Sequence, residues 1–177
     1  MAFLHPGKII DRLNITPGIK AADFGCGSGH FTVEMAKRVG KSGTIYAFDI
    51  QKEVLSALKS RVALEHLYNV EMRRANLEIV ESTQLAGNLL DFVLLCNVLF
   101  QIGNKEETAK EAFRVLKSGG RAVVIDWKPD SGGVVGPVNE SRAGKDTVMG
   151  IFSDQGFVFD KEFEADDFHY GLVFKKP

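Results

Sequence analysis

The stretch ADFGCGSGHFT, Ala22 to Thr32, sets glycines at alternate positions, Gly25, Gly27 and Gly29, with Asp23 two places before the first of them. Upstream, IKAADFG (19–25) is a compact apolar run of strand length. Downstream, HFTVEMAKRVG (30–40) carries Phe31, Val33, Met35, Ala36 and Val39 mostly at helical spacing and stops at Gly40. Glycine lets the backbone turn with positive φ and lets a ligand lie against main chain with no Cβ in the way. A following helix presents amide groups that have no intrahelical partner. A strand, a bend without side chains and a helix are therefore expected to cradle a ligand at the carboxyl end of the strand.

Working outward, the same alternation repeats. GKIIDRL after Pro6 reads as a short first helix, with proline near its start. TIYAFDI (44–50) reads as a second strand, and KEVLSALKSRVALEHL (52–67) as a long helix with Val54, Leu55, Leu58, Val62 and Leu67 on its apolar face. VEMRRAN (70–76) and LDFVLLCN (90–97) read as strands, and KEETAKEAFRVLKSGG (105–120) as a helix ending at paired glycines. RAVVIDW (121–127) is a fifth strand, followed by a loose Gly-, Pro- and Ser-rich run and a helix over 145–155. FVFDKEF and FHYGLVFKKP are then placed to pair as a closing antiparallel hairpin. Strands alternating with helices predict an α/β fold, a parallel sheet with helices on both faces.

The ligand is constrained by what the glycine run lacks. A dinucleotide fingerprint needs G-x-G-x-x-G, yet the third glycine falls on His30 when counted from Gly25 and on Thr32 when counted from Gly27. The Gly-Lys-Ser/Thr ending of a phosphate loop is absent too. What remains is D-x-G-x-G-x-G, followed by a second acidic residue, Asp49, at the end of YAFDI. This pattern, together with VLKSGGRAVVIDWKP and FHYGLVFKKP, resembles the class I S-adenosylmethionine-dependent methyltransferases over nearly the whole chain, and is most similar to the small-molecule, ubiquinone/menaquinone-biosynthesis group. The resemblance implies a Rossmann-like doubly wound sheet, mostly parallel, of seven strands with an antiparallel C-terminal hairpin strand. It implies one domain over 1–177: an N-terminal helix and lid segment (1–16), a cofactor-binding core (17–127), and a loop, helix and closing hairpin (128–177).

The implied cofactor is S-adenosyl-L-methionine, which carries no phosphate but bears a sulfonium, an ammonium and a carboxylate. An acid beside the loop suits that charge: Asp23 is placed to meet the ammonium, directly or through water. Main-chain groups near Gly25 and Gly27 are placed against the methionine part. Asp49 is a candidate acceptor for the two ribose hydroxyls, with a helix cap as its plainer role. Ile50 packs on adenine in this reading, and Asn76 and Leu77 meet the adenine amino edge, with a turn as the alternative for Asn76. Cys96 and Asn97 fall where the family surrounds the sulfonium and its methyl group. His30 begins the helix after the glycines, near the expected cofactor carboxylate.

For the methyl acceptor, His5 in FLHPGK, Phe100 and Trp127 are the candidates, and the DSGGVVGPVNESR loop, the N-terminal segment or a second subunit is expected to enclose it. Many small-molecule relatives have a histidine near the position of Phe100, so no general base is assigned. Asp126 either faces the pocket or caps a loop, and His169 lies in the last strand. The competing readings are an RNA or protein methyltransferase acting with a partner, a nicotinamide-dependent dehydrogenase, and a non-catalytic S-adenosylmethionine-binding protein.

Bulk properties agree with a small-molecule enzyme. A net charge of −1 in 177 residues gives no electrostatic case for nucleic acid or an anionic membrane as partner. The most apolar run, LLDFVLLCNVLF, is too short and too polar to span a bilayer. Two cysteines, Cys26 and Cys96, have no metal-site spacing and read as small buried fillers, which fits a reducing, cytoplasmic setting. No metal is expected.

Overall fold

The first strand organises the molecule. In the computed structural model, which describes residues 4–129 and 136–177, β1 (Lys20–Phe24) lies inside the sheet with every residue after Lys20 buried. It pairs in parallel with β2 (Thr44–Asp49) on one side and β4 (Leu90–Cys96) on the other. β3 (Val70–Arg74) extends the β2 side, and β5 (Leu116–Trp127) extends the β4 side, both parallel. The hairpin β6 (Val158–Glu164) and β7 (His169–Lys175) closes the sheet, with β7 inserted antiparallel between β5 and β6. The order β3-β2-β1-β4-β5-β7-β6 gives the seven-stranded, mostly parallel sheet implied by the sequence. It also makes the boundary between β1 and β4 the point where chain order reverses, so the carboxyl ends of these two strands diverge into a crevice.

Helices cover both faces. α1 (Pro6–Arg12) and α2 (His30–Val39) bury Ile9, Ile10, Met35, Ala36 and Val39 against Ala21, Phe92, Leu94, Val123 and Ile125. α3 (Lys52–Leu64) joins that face through Leu58 and Val62, packed with Val33 and Ala47. α4 (Lys105–Val115) and α5 (Lys145–Asp154) bury Ala109, Ala112, Val148 and Phe152 on the opposite face, against Ala22, Val93, Ala122 and Val124. Each large apolar side chain so buried contributes about 1.5–3 kcal/mol. The edge-to-face contact of Phe24 and Phe48, centroids 5.6 Å apart, ties β1 to β2 just before both strands reach the crevice.

Two helix ends differ from expectation. α4 stops at Val115, not at the paired glycines, because Arg114 and Val115 carbonyls accept the Asn88 and Leu89 amides, and Leu116 pairs with Leu90. Gly119, at φ +78°, and Gly120 then exchange backbone bonds with Lys176, so the LKSGG segment belongs to β5. α3 stops at Leu64, three residues short of Leu67, and His66 turns the chain at φ +53° so that Leu67 N–H reaches the Val62 carbonyl. Sheet pairing and side-chain burial outcompete helical periodicity at both places. Among the described residues no helix is long and apolar enough to cross a membrane.

Candidate functional site

The bend after β1 is held from three directions. The Gly25 and Cys26 amides both donate to the Phe48 carbonyl at 2.8 Å, which pins the loop to β2. The Gly29 amide closes a turn onto the Cys26 carbonyl at 2.9 Å. The Gly27 amide donates to Asp49 Oδ2 at 3.0 Å. All of Gly25, Gly27 and Gly29 have positive φ, but they serve different ends. A Cβ on Gly27 would meet nothing within 4 Å, so Gly27 faces open space. A Cβ on Gly29 would lie 2.2 Å from Leu58 Cδ1, so this glycine allows α2 and α3 to approach each other and does not line the crevice. A Cβ on Gly25 would strike Val98 at 2.4 Å, where the loops after β1 and β4 touch.

The crevice has two lobes of about 420 Å³ each, joined over Gly25, Gly27 and Gln101. One contains Asp23, with Cys26, Ser28, His30, Phe31, Cys96 and Asn97 around it and Leu4 and Pro6 at its N-terminal rim. The other contains Asp49, with Ile50, Val54, Asn76, Leu77, Val98 and Ile102. Thus the structure brings together Asp23, Gly25, Gly27, Asp49, Ile50, Asn76, Leu77, Cys96 and Asn97, drawn from the carboxyl ends of β1 to β4.

Electrostatics differ between the lobes. Asp23 is 2% exposed, and its Oδ2 accepts the Thr32 hydroxyl at 2.6 Å from the first turn of α2. Burial pushes its carboxyl up to about 6; the Thr32 hydrogen bond opposes this and the Asp49 charge adds to it. Asp49 is oriented: Oδ2 is fixed by Gly27 N–H and Oδ1 accepts the Gln51 amide at 2.9 Å in an Asx-type turn; the N-cap of α3 is Gln51, with no side-chain capping bond, so Asp49 does not play the helix-cap role. Ile50 is 50% exposed beside it, an apolar surface facing the lobe. Asn76 Oδ1 accepts the Glu78 amide at 3.1 Å, so its turn role is met while it lines the crevice. Burial first, and then the nearby aspartates, push both cysteine thiols up, which keeps them protonated and unreactive.

The acceptor candidates are not brought into this crevice. His5 lines a separate hollow of about 300 Å³ with Glu34, Arg61 and Glu65, on the far side of His30. Arg61 donates to His30 Nδ1 there at 2.7 Å. Phe100 is half-buried in the short 3₁₀ turn Leu99–Gln101, and it is its neighbour Gln101 that reaches both lobes. Trp127 packs on His169, ring centroids 4.1 Å apart, and under the Arg142 guanidinium at 5.4 Å. His169 is buried and its Nδ1 bonds Asp166 Oδ1 at 2.8 Å. Asp126 is a cap: its carboxylate accepts the Leu99 and Trp127 amides, holding the turn after β4, and burial pushes it up to about 6. Residues 130–135 of the expected enclosing loop, and 1–3 of the lid segment, lie outside the described residues. Among the described residues no cluster suited to a metal ion occurs.

Sequence reasoning missed Leu4, Ser28, Phe31, Gln101 and Val98 as crevice residues. The N-terminal lid expectation pointed toward Leu4, and Ser28 and Phe31 sit in or next to the glycine bend that marks the crevice; Val98 and Gln101 carry no local signal, because packing between distant segments brings them in.

Comparison with known proteins fits this geometry. A family model described as a methyltransferase domain matches residues 15–151. Demethylmenaquinone methyltransferase of Geobacillus sp. (strain WCH70) is 30% identical over 115 residues, 65% of this chain and 48% of that protein. Ubiquinone/menaquinone biosynthesis C-methyltransferase UbiE of Hydrogenovibrio crunogenus is 31% identical over 67% of this chain and 46% of that protein. The chain therefore spans about half the length of these curated relatives. A SAM-dependent methyltransferase from Aquifex aeolicus superposes with a TM-score of 0.88 at 24% identity, covering 97% of this chain and 89% of that one, and so shares the fold. With residues 15–151 matched and the glycine bend, the two acidic strand ends and the sheet order all in place, the chain belongs to the methyltransferase domain family.

Proposed function

We propose that the chain binds S-adenosylmethionine in the two-lobed crevice and transfers its methyl group to a small molecule. The observation that carries this reading is the pair of carboxylates, Asp23 in one lobe and Asp49 in the other, flanking bare backbone at Gly25 and Gly27. A pyrophosphate laid over that backbone would bring negative charge toward two acids, whereas a sulfonium and an ammonium bring positive charge toward them. The names of the curated relatives favour a quinone-type ring as the acceptor to test first, rather than RNA or protein.

In this assignment Asp49, already oriented by the Gly27 and Gln51 amides, keeps lone pairs for the ribose hydroxyls. Ile50 and Leu77 bracket the adenine, and Asn76 stands at its edge. Asp23 holds the ammonium, whose positive charge draws the carboxyl back to its ionised form. Cys96 and Asn97, lining the Asp23 lobe, would flank the methionine arm, and Gln101, which lines both lobes, would stand at their junction. The cofactor supplies a methyl already activated by its positive sulfur. The chain's own work is to hold that arm in line with the acceptor and to keep water out, with Leu4, Pro6 and Phe31 as apolar wall. Titration calorimetry with S-adenosylhomocysteine and, separately, with a reduced nicotinamide dinucleotide tests the assignment. Binding of the first alone is expected; binding of the dinucleotide alone refutes it.

A further inference from the structure

The loop between β3 and β4 is strained. Three of the six non-glycine residues with positive φ among the described residues lie in it: Glu81 at +67°, Gln84 at +54° and Asn88 at +55°. Asparagine tolerates that conformation, whereas glutamate and glutamine rarely adopt it. Strain of this kind persists only where surrounding groups enforce it, and it gathers at functional sites. The enforcing group here is Glu111 of α4, which is 0% exposed. Its carboxylate accepts four hydrogen bonds: from the Glu81 amide and Arg114 Nε at Oε2, both 2.8 Å, and from Arg114 Nη2 at 2.8 Å and the Thr83 hydroxyl at Oε1. Burial alone would raise this carboxyl, but the Arg114, Thr83 and Glu81 hydrogen bonds hold it below its usual value, so it is ionised at neutral pH.

A buried ion pair adds little net stability compared with apolar side chains of the same volume. Glu111 is better accounted for by what it holds. It grips residues 81 and 83, and the residue between them, Ser82, donates its hydroxyl to the Asn76 carbonyl at 2.6 Å. Asn76 lines the Asp49 lobe and stands at the adenine edge on the methyltransferase reading, on which this inference rests. We propose that Glu111 is a positioning residue for the purine end of the cofactor: through Glu81, Thr83 and Ser82 it fixes the main chain at Asn76, and so makes the lobe select adenine over a purine with a different edge. Glu111 itself lines neither lobe, so it acts wholly through the loop. Rigid placement matters there because a hydrogen bond weakens steeply with misalignment.

The full chain is titrated by calorimetry with S-adenosylhomocysteine and with S-inosylhomocysteine, in which an oxo group replaces the adenine amino group. The wild type is expected to prefer the first about tenfold, the worth of one hydrogen bond. Glu111→Gln keeps the shape of the side chain but leaves one oxygen for four donors, and it is expected to lose that preference. Ser82→Ala breaks the link to Asn76 at a half-buried position and leaves the Glu111 bonds in place. It is expected to lose the preference too, and it decides the matter where Glu111→Gln does not fold. Val148→Ala opens a cavity under α5; it is expected to melt lower than the wild type and to keep the preference. A wild type that binds both compounds without that preference, a Ser82 or folded Glu111 variant that retains it, or a Val148 variant that loses it overturns the role of Glu111 and leaves the methyltransferase reading standing. A wild type that takes up no S-adenosylhomocysteine overturns that reading and this inference with it.

Discussion

Replacing Asp23 by asparagine should make the protein more stable and a poorer binder of its cofactor. The wild-type carboxyl is buried and titrates at about 6 when folded, above the usual carboxylate range. A raised folded value stabilises the fold only while the group is protonated. That contribution is complete below about pH 4, where the carboxyl is protonated folded and unfolded, and it is lost as pH rises through about 6. At pH 7 the folded chain therefore bears a cost of up to about 3 kcal/mol for keeping Asp23 ionised. Asparagine is nearly isosteric, still accepts the Thr32 hydroxyl through Oδ1, and carries no charge. The variant should gain about 1–3 kcal/mol at pH 7, which in a chain of this length is a rise of roughly 2–12 °C in Tm. The gain should disappear below pH 4.

Binding should move the opposite way. A charge-assisted hydrogen bond to the cofactor ammonium is worth about 1.5–3 kcal/mol, so the dissociation constant should rise roughly 10- to 150-fold. In the wild type, affinity should also weaken as pH falls through about 6, because the ammonium then meets a neutral acid. Thermal melts from pH 4 to 8, paired with calorimetry using S-adenosylhomocysteine, measure both effects. A variant that is less stable than wild type at pH 7, or one that binds unchanged, would refute the argument.

The glycines should separate by function. Gly29→Ala drives a methyl into Leu58 at positive φ and should destabilise the fold by roughly 2–4 kcal/mol in melts, while Gly27→Val, which faces open space, should fold with a backbone cost of about 1–2 kcal/mol yet show no calorimetric binding. Asp49→Ala removes the acceptor of the Gly27 and Gln51 amides together with the proposed ribose contacts. It should weaken S-adenosylhomocysteine by about 1.5–3 kcal/mol for each lost bond, and an unchanged dissociation constant would count against the ribose assignment.

Much of this molecule is readable along the chain because its signals are local. Gly25 and Gly27 mark the bend through their need for positive φ, and Asp23 and Asp49 mark the ends of two apolar runs. Strand–helix alternation leads to the parallel sheet without reference to any distant contact. The limits of α4 and α3 were misread because helical periodicity continues past Val115 and Leu64, while sheet partners at Leu90 and Lys176 and the turn at His66 claim the backbone. Phe100 and Gln101 are adjacent in the chain, and only the 3₁₀ turn, held by the buried Asp126, decides that the second of them meets the crevice.

Sequence by itself determined the class of fold, through strand–helix alternation along the chain, and the ligand-cradling bend with the two acids beside it, through spacing within some thirty residues. Tertiary structure decided that Gly29 serves helix packing, that His5 and Trp127 stand apart from the crevice, and that Leu4 closes its rim. It also raised the Asp23 carboxyl. The physical reason is that burial and hydrogen-bond satisfaction depend on which distant segments come to lie against a residue, and no local pattern carries that information.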